Sequence, residues 1–194
     1  MTGQQLDVEG MRGLVSERVA VLQDGYLKGR SSAMLEIARI RRAFGHSPGV
    51  DLSILKCTFT PELVSGWYSD RPSPQEIAAH HAITLYALHQ HVRGKPMHAP
   101  GWGVGRAVRE LYPGSELGPR GVVARKFGML MNDPDLEVLV HHLGGLVRLL
   151  RGRAVPLDYG RLADQLLRWQ IYEDGRNRIL RVWGREYHRT WSSD

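Results

Sequence analysis

Residues 124–189 read ARKFGMLMNDPDLEVLVHHLGGLVRLLRGRAVPLDYGRLADQLLRWQIYEDGRNRILRVWGREYHR, and this stretch decides the fold. Between Leu136 and Leu150, apolar residues recur at alternating spacings of four and three, which predicts an amphipathic helix. Two further helical patterns follow, at about 158–170 and 176–189, and arginines lie between the leucines throughout. Since no residue set in the stretch has catalytic spacing, a rigid helical body with a basic surface is the first interpretation.

The rest of the chain carries helix signals as well. Ser73-Pro74-Gln75-Glu76 is a capping box with proline at the first helical position, and its helix is predicted to run to about Val92. Thr60-Pro61-Glu62 and Asp133-Pro134-Asp135 are two more helix starts, each with a cap residue, a proline and an acid. No alternating run of β-branched residues predicts a sheet, so we expect an all-α fold. The remaining predicted helices cover 11–23, 31–44, 102–111 and 119–131.

A chain of 194 residues can build one good core or two small ones. We predict a compact helical bundle, either one continuous domain or two packed lobes, an N-terminal lobe 1–112 and a C-terminal lobe 113–194. Basic minus acidic residues give 11 − 9 = +2 for residues 1–97 and 15 − 11 = +4 for residues 98–194. The C-terminal half therefore carries the stronger phosphate-attracting field.

Composition narrows the function classes. The net charge is +6, the pI is about 9.8, and 22 of the 26 basic residues are arginine. Arginine binds phosphate through two parallel hydrogen bonds and stacks on bases, so this bias favours nucleic acid, although a GC-rich genome would produce it too. No apolar run is long enough to span a membrane, no secretory signal is visible, and Cys57 is the only cysteine. We predict a cytoplasmic protein without membrane contact.

Catalytic and metal-binding patterns are missing from the sequence. The nine histidines, among them His80-His81, never form the i, i+4 pair with a nearby glutamate that a helical zinc site uses. They are predicted to be core-edge or surface residues. Cys57 is predicted to be a buried, inert thiol, and Gly101-Trp102-Gly103-Val104-Gly105 to be a flexible entry to the next helix rather than a phosphate loop. We predict no catalytic residue, no metal and no cofactor.

Several helices contribute basic residues that could form one positive face, although each could also be an ordinary solvated residue. Arginines close the helix from Ser31, precede Phe127, and end the long helix before Pro156. Trp169 and Trp183 are predicted core residues. Gly144-Gly145 inside the long helix indicates either a close approach of another backbone, protein or nucleic acid, or a local kink.

The order of these motifs resembles the CasB family, the small subunit of Cascade, the type I-E CRISPR surveillance complex. The resemblance covers about residues 30–189, and no single motif in it is specific alone. It is carried by Ile40-Arg41-Arg42, Gly105-Arg106-Ala107, Arg125-Lys126-Phe127, HL..LV.LL from His142, LDY..L..QLL.W from Leu157 and W.REY from Trp183.

The resemblance implies an all-helical, non-enzymatic subunit of an antiviral complex. Two copies would lie beside the backbone and large subunits, contact CRISPR RNA and target DNA including the displaced strand, and hold the R-loop open for a recruited nuclease-helicase. Pairing of the guide RNA with its target replaces a DNA duplex by an RNA–DNA duplex of similar stability. Protein contacts to the nucleic-acid backbone can therefore shift this equilibrium toward the R-loop. The predicted nucleic-acid-binding residues are Arg39, Arg41, Arg42, Arg106, Arg120, Arg125, Lys126 and Arg148.

The sequence departs from the family at two positions. The family often has arginine after the position of Leu143, where this chain has Gly144, so Arg148 is expected to act one turn later. Ala124 replaces a family glutamate.

Two rival functions are also compatible with the sequence. The first rival is a helix-turn-helix DNA-binding regulator, because LDYGRLADQLLRW has the small-residue and leucine pattern of that motif. The second is a protein scaffold whose arginines meet helix dipoles and acidic partners.

Overall fold

A computed structural model of the chain describes residues 8–58, 71–111, 128–130 and 135–189. Apart from one isolated bridge between His98 and Leu157, the regular structure in these ranges is helical, which confirms the all-α prediction. Residues 128–130 are also helical. The named helices are α1 (Val8–Leu27), α2 (Ser31–Arg42), a 3-10 turn (Leu52–Ile54), α3 (Leu55–Thr58), α4 (Pro74–Gln90), α5 (Val104–Glu110), α6 (Leu136–Arg153), α7 (Tyr159–Ile171) and α8 (Gly175–His188).

Side-chain caps set where the main helices begin. The capping box at α4 forms as predicted, with the Ser73 hydroxyl accepting from the Glu76 N–H at 3.1 Å and the Glu76 carboxylate accepting from the Ser73 N–H at 2.6 Å. The start of α6 lies later than predicted, because its cap is Asp135, whose carboxylate accepts from the backbone N–H groups of Glu137 and Val138. The Thr60 start, Asp133 and most of the predicted helix 119–131 lie outside the described residues.

The helix α4 lies at the centre of the bundle and packs against α1, α2, α6 and α7. Every residue from Ala78 to Gln90 is buried, because a helix enclosed on all sides has no solvent face. The prediction of core-edge or surface histidines is therefore wrong for His80, His81 and His89, which are at most 1% exposed.

Burial keeps these three histidines neutral. It lowers the pKa of His80 and His81 to about 4 and that of His89 to about 3, because a charged imidazolium loses its hydration inside the core. The Nε2 of His80 donates to the His46 carbonyl at 2.9 Å, and Nδ1 of His89 hydrogen-bonds to the Tyr159 hydroxyl at 2.8 Å. These bonds satisfy part of the polar capacity that burial removes from water.

Close helix packing explains the glycines before α5. A Cβ atom at Gly105 would collide with the carbonyl oxygen of Trp183, and one at Gly103 with the carboxylate of Glu186. The Gly105 N–H donates to Glu186 at 3.2 Å, so α5 and α8 approach with almost no side chain between them. The prediction of a flexible entry is wrong here, because the glycines are needed for contact.

One apolar cluster extends through the described helices, from Met11 on α1 to Trp183 on α8. Trp169 and Trp183 are both buried, as predicted, and the Trp183 indole N–H donates to Gln165 at 2.9 Å. The residues at the proposed lobe boundary, 112–113, lie outside the described ranges, so the division into lobes stays a prediction. None of the described helices is both long and apolar enough to cross a membrane.

Candidate nucleic-acid interface

The last turn of α2 presents three arginines to the surface. Ile37 and Ile40 are fully buried, which fixes the face of α2 that meets the core. Arg39 and Arg41, two residues apart, diverge by about 200° around the helix. Arg39 lines a small groove that includes Lys56 of α3, so it belongs to a different part of the surface from Arg41.

Phe44 joins the end of α2 to the middle of α6. Its ring occupies the space that a side chain at Gly144 would fill, since a Cβ there would collide with the ring. The guanidinium of Arg148, one turn after Gly144, lies over the same ring with its Cζ 5.5 Å from the centroid. The close approach predicted for this glycine is therefore to an aromatic side chain of the same protein, rather than to another backbone or to nucleic acid.

Arg151 lies at the C-terminal end of α4. Its guanidinium donates to the Leu88 carbonyl at 3.4 Å, where the last carbonyls of α4 lack helical partners. Partial burial lowers the pKa of His91, and the positive charges of Arg41 and Arg151 lower it further. Arg41 on α2 and Arg151 on α6 thus both act on the same ring beyond the end of α4.

We name Arg41, Arg42, Arg148 and Arg151 the α2–α6 basic cluster. Within the described part of the chain, no carboxylate forms an ion pair with any of the four. Arg42 contributes only a weak influence on Asp51, whose pKa is lowered mainly by hydrogen bonds from Ser53. Each of the four arginines therefore carries a positive charge that no carboxylate of the described residues pairs with.

Arg106 occupies another part of the molecule. It lies on α5, which packs chiefly against α8, and its guanidinium stacks on Trp102 with Cζ 4.0 Å from the ring centroid. Neighbouring Arg109 donates to the Tyr187 carbonyl at 3.1 Å. Arg120, Arg125 and Lys126 lie outside the described residues. Nucleic-acid contact by any of the eight predicted residues stays a prediction.

Arg151 and His91 belong to the site but were not among the residues predicted for it. Arg151 follows Arg148 by three residues in the last turn of α6, and that spacing puts both on one side of the helix. This signal was available in the sequence. The position of His91 was not, because it depends on the packing of α4 against α2 and α6.

The arginines of α7 and α8 are arranged differently. Arg161 pairs with Glu186, and Arg168 pairs with Asp164 at 2.8 Å. Arg178 and Arg181 both reach Asp174, at 3.6 and 2.9 Å. A large share of the positive charge in this region is therefore already neutralised by neighbouring carboxylates.

The described residues also bear on the other chemical predictions. Cys57 is 4% exposed, which confirms the predicted burial of its thiol. Burial, together with the hydrogen bond that the thiol donates to Glu36 at 2.7 Å, raises the pKa of Cys57 to about 12. A thiol with so high a pKa forms little of the reactive thiolate. No group of three metal-ligating side chains is found in the described ranges. In α7, the helix of the regulator hypothesis, eight of 13 residues are buried against its neighbours.

The fold is all-helical, and its surface carries the α2–α6 basic cluster, which has no ion-pair partner among the residues that the structure describes. A model of the family of CRISPR-associated protein Cse2 matches residues 36–188. The chain belongs to this family, as the resemblance in its sequence predicted.

Solved structures agree with this assignment. The crystal structure of CasB from Thermobifida fusca is 34% identical, with a TM-score of 0.77 over 92% of this chain and 98% of that one. CasB from Thermus thermophilus, at 24% identity, has a TM-score of 0.65 over 91% and 97% of the two chains. A second crystal structure from that organism, of a CRISPR-associated protein of the Cse2 family, gives the same values. The two Thermus structures share the fold. Among proteins with curated functions, none matches the chain.

Proposed function

We propose that this chain is the non-catalytic small subunit of a type I-E Cascade complex and stabilises the R-loop through its basic surface. It binds the phosphate backbone of nucleic acid, including the displaced non-target strand, and takes no part in chemistry. It works in the cytoplasm as part of an antiviral defence. Membership of the Cse2 family supports the assignment to a CRISPR system.

The observation that carries the proposal is that the arginines of the α2–α6 basic cluster form no ion pair with a carboxylate of the described residues. A guanidinium with no carboxylate partner can bind phosphate without first breaking an ion pair, and it contributes the whole of its charge to the field. Two helices contribute these arginines, α2 with Arg41 and Arg42 and α6 with Arg148 and Arg151, and the charges of Arg41 and Arg151 both act on His91 beyond the end of α4. Such a surface tracks a backbone and does not read bases.

Phe44 and Leu88 support the same role. The Phe44 ring restricts Arg148 from one side, and the Leu88 carbonyl holds Arg151. Arginines that are already oriented lose less conformational entropy when they bind phosphate than free ones. The predicted residues Arg120, Arg125 and Lys126 would extend this surface, whereas Arg39 and Arg106 would contact nucleic acid from other parts of the molecule. CRISPR RNA, target DNA, the backbone and large subunits and a second copy of the chain are its proposed partners.

The test is the lifetime of the R-loop in the reconstituted complex. Arg41→Glu combined with Arg148→Glu should shorten that lifetime at least tenfold at ~150 mM salt, because two phosphate contacts become repulsive. Lys28→Glu with Arg30→Glu changes the net charge equally, at exposed residues next to Asp24, and serves as the control. An R-loop that decays at the wild-type rate in the cluster variant, with normal incorporation of the subunit, would overturn the proposal.

The same experiment can be extended to the pair next to Phe127. Arg125→Glu with Lys126→Glu should shorten the R-loop lifetime in the same way if these residues belong to the surface. A normal lifetime would remove the pair from the site and leave the α2–α6 basic cluster as its centre.

A further inference from the structure

A groove runs along the surface between α7 and α8. Three residues join the two helices, and Arg161 at the start of α7 pairs with Glu186 near the end of α8, so the helices are antiparallel. Two adjoining cavities, of about 250 and 270 Å³, lie along the pair and share Arg161 and Val182. We name the surface that these two adjoining cavities form the α7–α8 groove.

The walls of the α7–α8 groove combine an apolar floor with a basic rim. Val182 is half-buried at the centre, where the two cavities meet. Tyr172, 45% exposed, stands at one end, and Arg168 lies on the rim beside it. The exposed Arg185 lines the other end. An apolar centre with a rim that carries arginine and tyrosine is the composition of protein–protein interfaces.

The electrostatics of the groove separate a protein ligand from a nucleic acid. Arg161 and Arg168 are held by carboxylates of the groove itself, so a phosphate strand would have to compete with Glu186 and Asp164. The charged sugar-phosphate backbone of a nucleic acid also offers no apolar side chain to cover Val182. Arg185 differs from the other two arginines, because no carboxylate in the described ranges pairs with it.

We propose that the α7–α8 groove docks an acidic segment of a different protein subunit of the complex. The segment places an apolar side chain over Val182 and a carboxylate on Arg185, and the ring of Tyr172 packs against its other end. The proposal rests on the assembly proposed above for this chain. It assigns protein contact to α7–α8 and nucleic-acid contact to the α2–α6 basic cluster.

The first test is site-specific cross-linking in the reconstituted complex. Tyr172→p-benzoyl-L-phenylalanine keeps an aromatic ring in the groove and captures whatever lies against it on irradiation. The control carries the same group at Leu52, which is 78% exposed and lies outside the groove. We expect a cross-link from position 172 to a segment of another subunit that contains Asp or Glu next to an apolar residue. A cross-link to nucleic acid, to a second copy of this chain, or to nothing would overturn the proposal.

The second test reverses the charge of Arg185. Arg185→Glu should weaken incorporation of the chain into the complex roughly tenfold, since it opposes a carboxylate at the rim. Lys28→Glu, with the same charge change at an exposed residue just after α1, should leave incorporation unchanged. Normal incorporation of the Arg185 variant would contradict the proposal.

Nucleic-acid binding by the isolated chain distinguishes this proposal from the preceding one. Arg185→Glu should bind single-stranded DNA as the wild type does, while Arg41→Glu with Arg148→Glu should bind it more weakly. If Arg185→Glu alone weakened DNA binding, the groove would be part of the nucleic-acid surface and the docking proposal would fall. If both variants retained wild-type binding, the proposed function would fail and the docking groove would stand on its incorporation result.

Discussion

The α7–α8 pair and the α2–α6 basic cluster are both rich in arginine, yet they differ in what those arginines contact. In α7 and α8, Arg161, Arg168, Arg178 and Arg181 each meet a carboxylate of the same pair of helices. In the cluster, none of the four arginines forms an ion pair within the described residues. Arginine density alone therefore does not locate a phosphate-binding surface, because the fraction left unpaired decides the available charge.

The sequence already contains the cause of this difference. Arg168 and Arg178 follow Asp164 and Asp174 by four residues, the spacing at which side chains meet on a helix. The residues four before Arg148 and Arg151 are Gly144 and Val147, and those four before Arg41 and Arg42 are Ile37 and Ala38. Without an acid at that spacing, the cluster arginines have no local partner.

The largest expected effect is the loss of folding stability in acid. It arises from the buried histidines of α4, which belong to neither of the two arginine regions. Arginines stay charged throughout, whereas His80, His81 and His89 are neutral in the folded protein and bind protons from an ordinary pKa of 6.5 when unfolded. The free energy of unfolding should be highest above pH 6.5 and fall as the pH drops toward 4. Each histidine contributes a slope of up to about 1.4 kcal/mol per pH unit.

Urea unfolding at pH 7, 6 and 5 measures this slope before most carboxylates are protonated. His81→Leu removes one of the three buried histidines of α4 and should reduce the slope by somewhat less than a third, because burial also lowers the pKa of His98. His141→Gln changes an exposed histidine of α6 and should leave it unchanged. A stability that does not vary between pH 7 and 5 would mean that the histidines of α4 are not held neutral.

Gly144→Leu has the next largest expected effect on stability, and it disturbs the α2–α6 basic cluster. The new side chain collides with Phe44 and should cost about 1–3 kcal/mol of unfolding free energy, as overpacking does. Because Phe44 also supports Arg148, single-stranded DNA binding should weaken too. Adding Phe44→Ala to the same chain should recover part of the stability, and additive effects in that double-mutant cycle would show that the two positions do not interact.

The helices could be predicted from the periodicity of apolar residues and from their capping residues. The surroundings of individual side chains could not, because they depend on how the helices pack in three dimensions. The apolar stripe of α6 and the capping box at Ser73 required only local residues. The burial of His81 required the knowledge that α4 is enclosed on every side, and no motif within α4 states this. The role of Gly144 required Phe44, which lies 100 residues earlier in the chain. Arg41 and Arg148 were predicted one by one from the family resemblance, and the contact of Arg148 with Phe44 and the effect of Arg41 on His91 were not.

The smallest expected effect is the coupling energy of a single ion pair. A double-mutant cycle of Arg168→Ala and Asp164→Ala should give a coupling energy of about 0.3–0.5 kcal/mol, which falls as salt is raised. The matched cycle of Arg42→Ala and Asp51→Ala should give a smaller value, because those two residues form no ion pair. Equal coupling in the two cycles would remove the distinction between the regions.

The most direct measurement is the salt dependence of single-stranded DNA binding by the isolated chain, followed by fluorescence anisotropy with random sequences between ~50 and 200 mM salt. Arg41→Glu with Arg148→Glu should lower the affinity and reduce the slope of log K against log salt by about 0.7 for each lost phosphate contact. Arg178→Glu with Arg181→Glu, an equal charge change on α8, should leave the slope unchanged. An equal or larger loss in the α8 variant would contradict the claim that the unpaired arginines of the α2–α6 basic cluster bind the phosphate backbone.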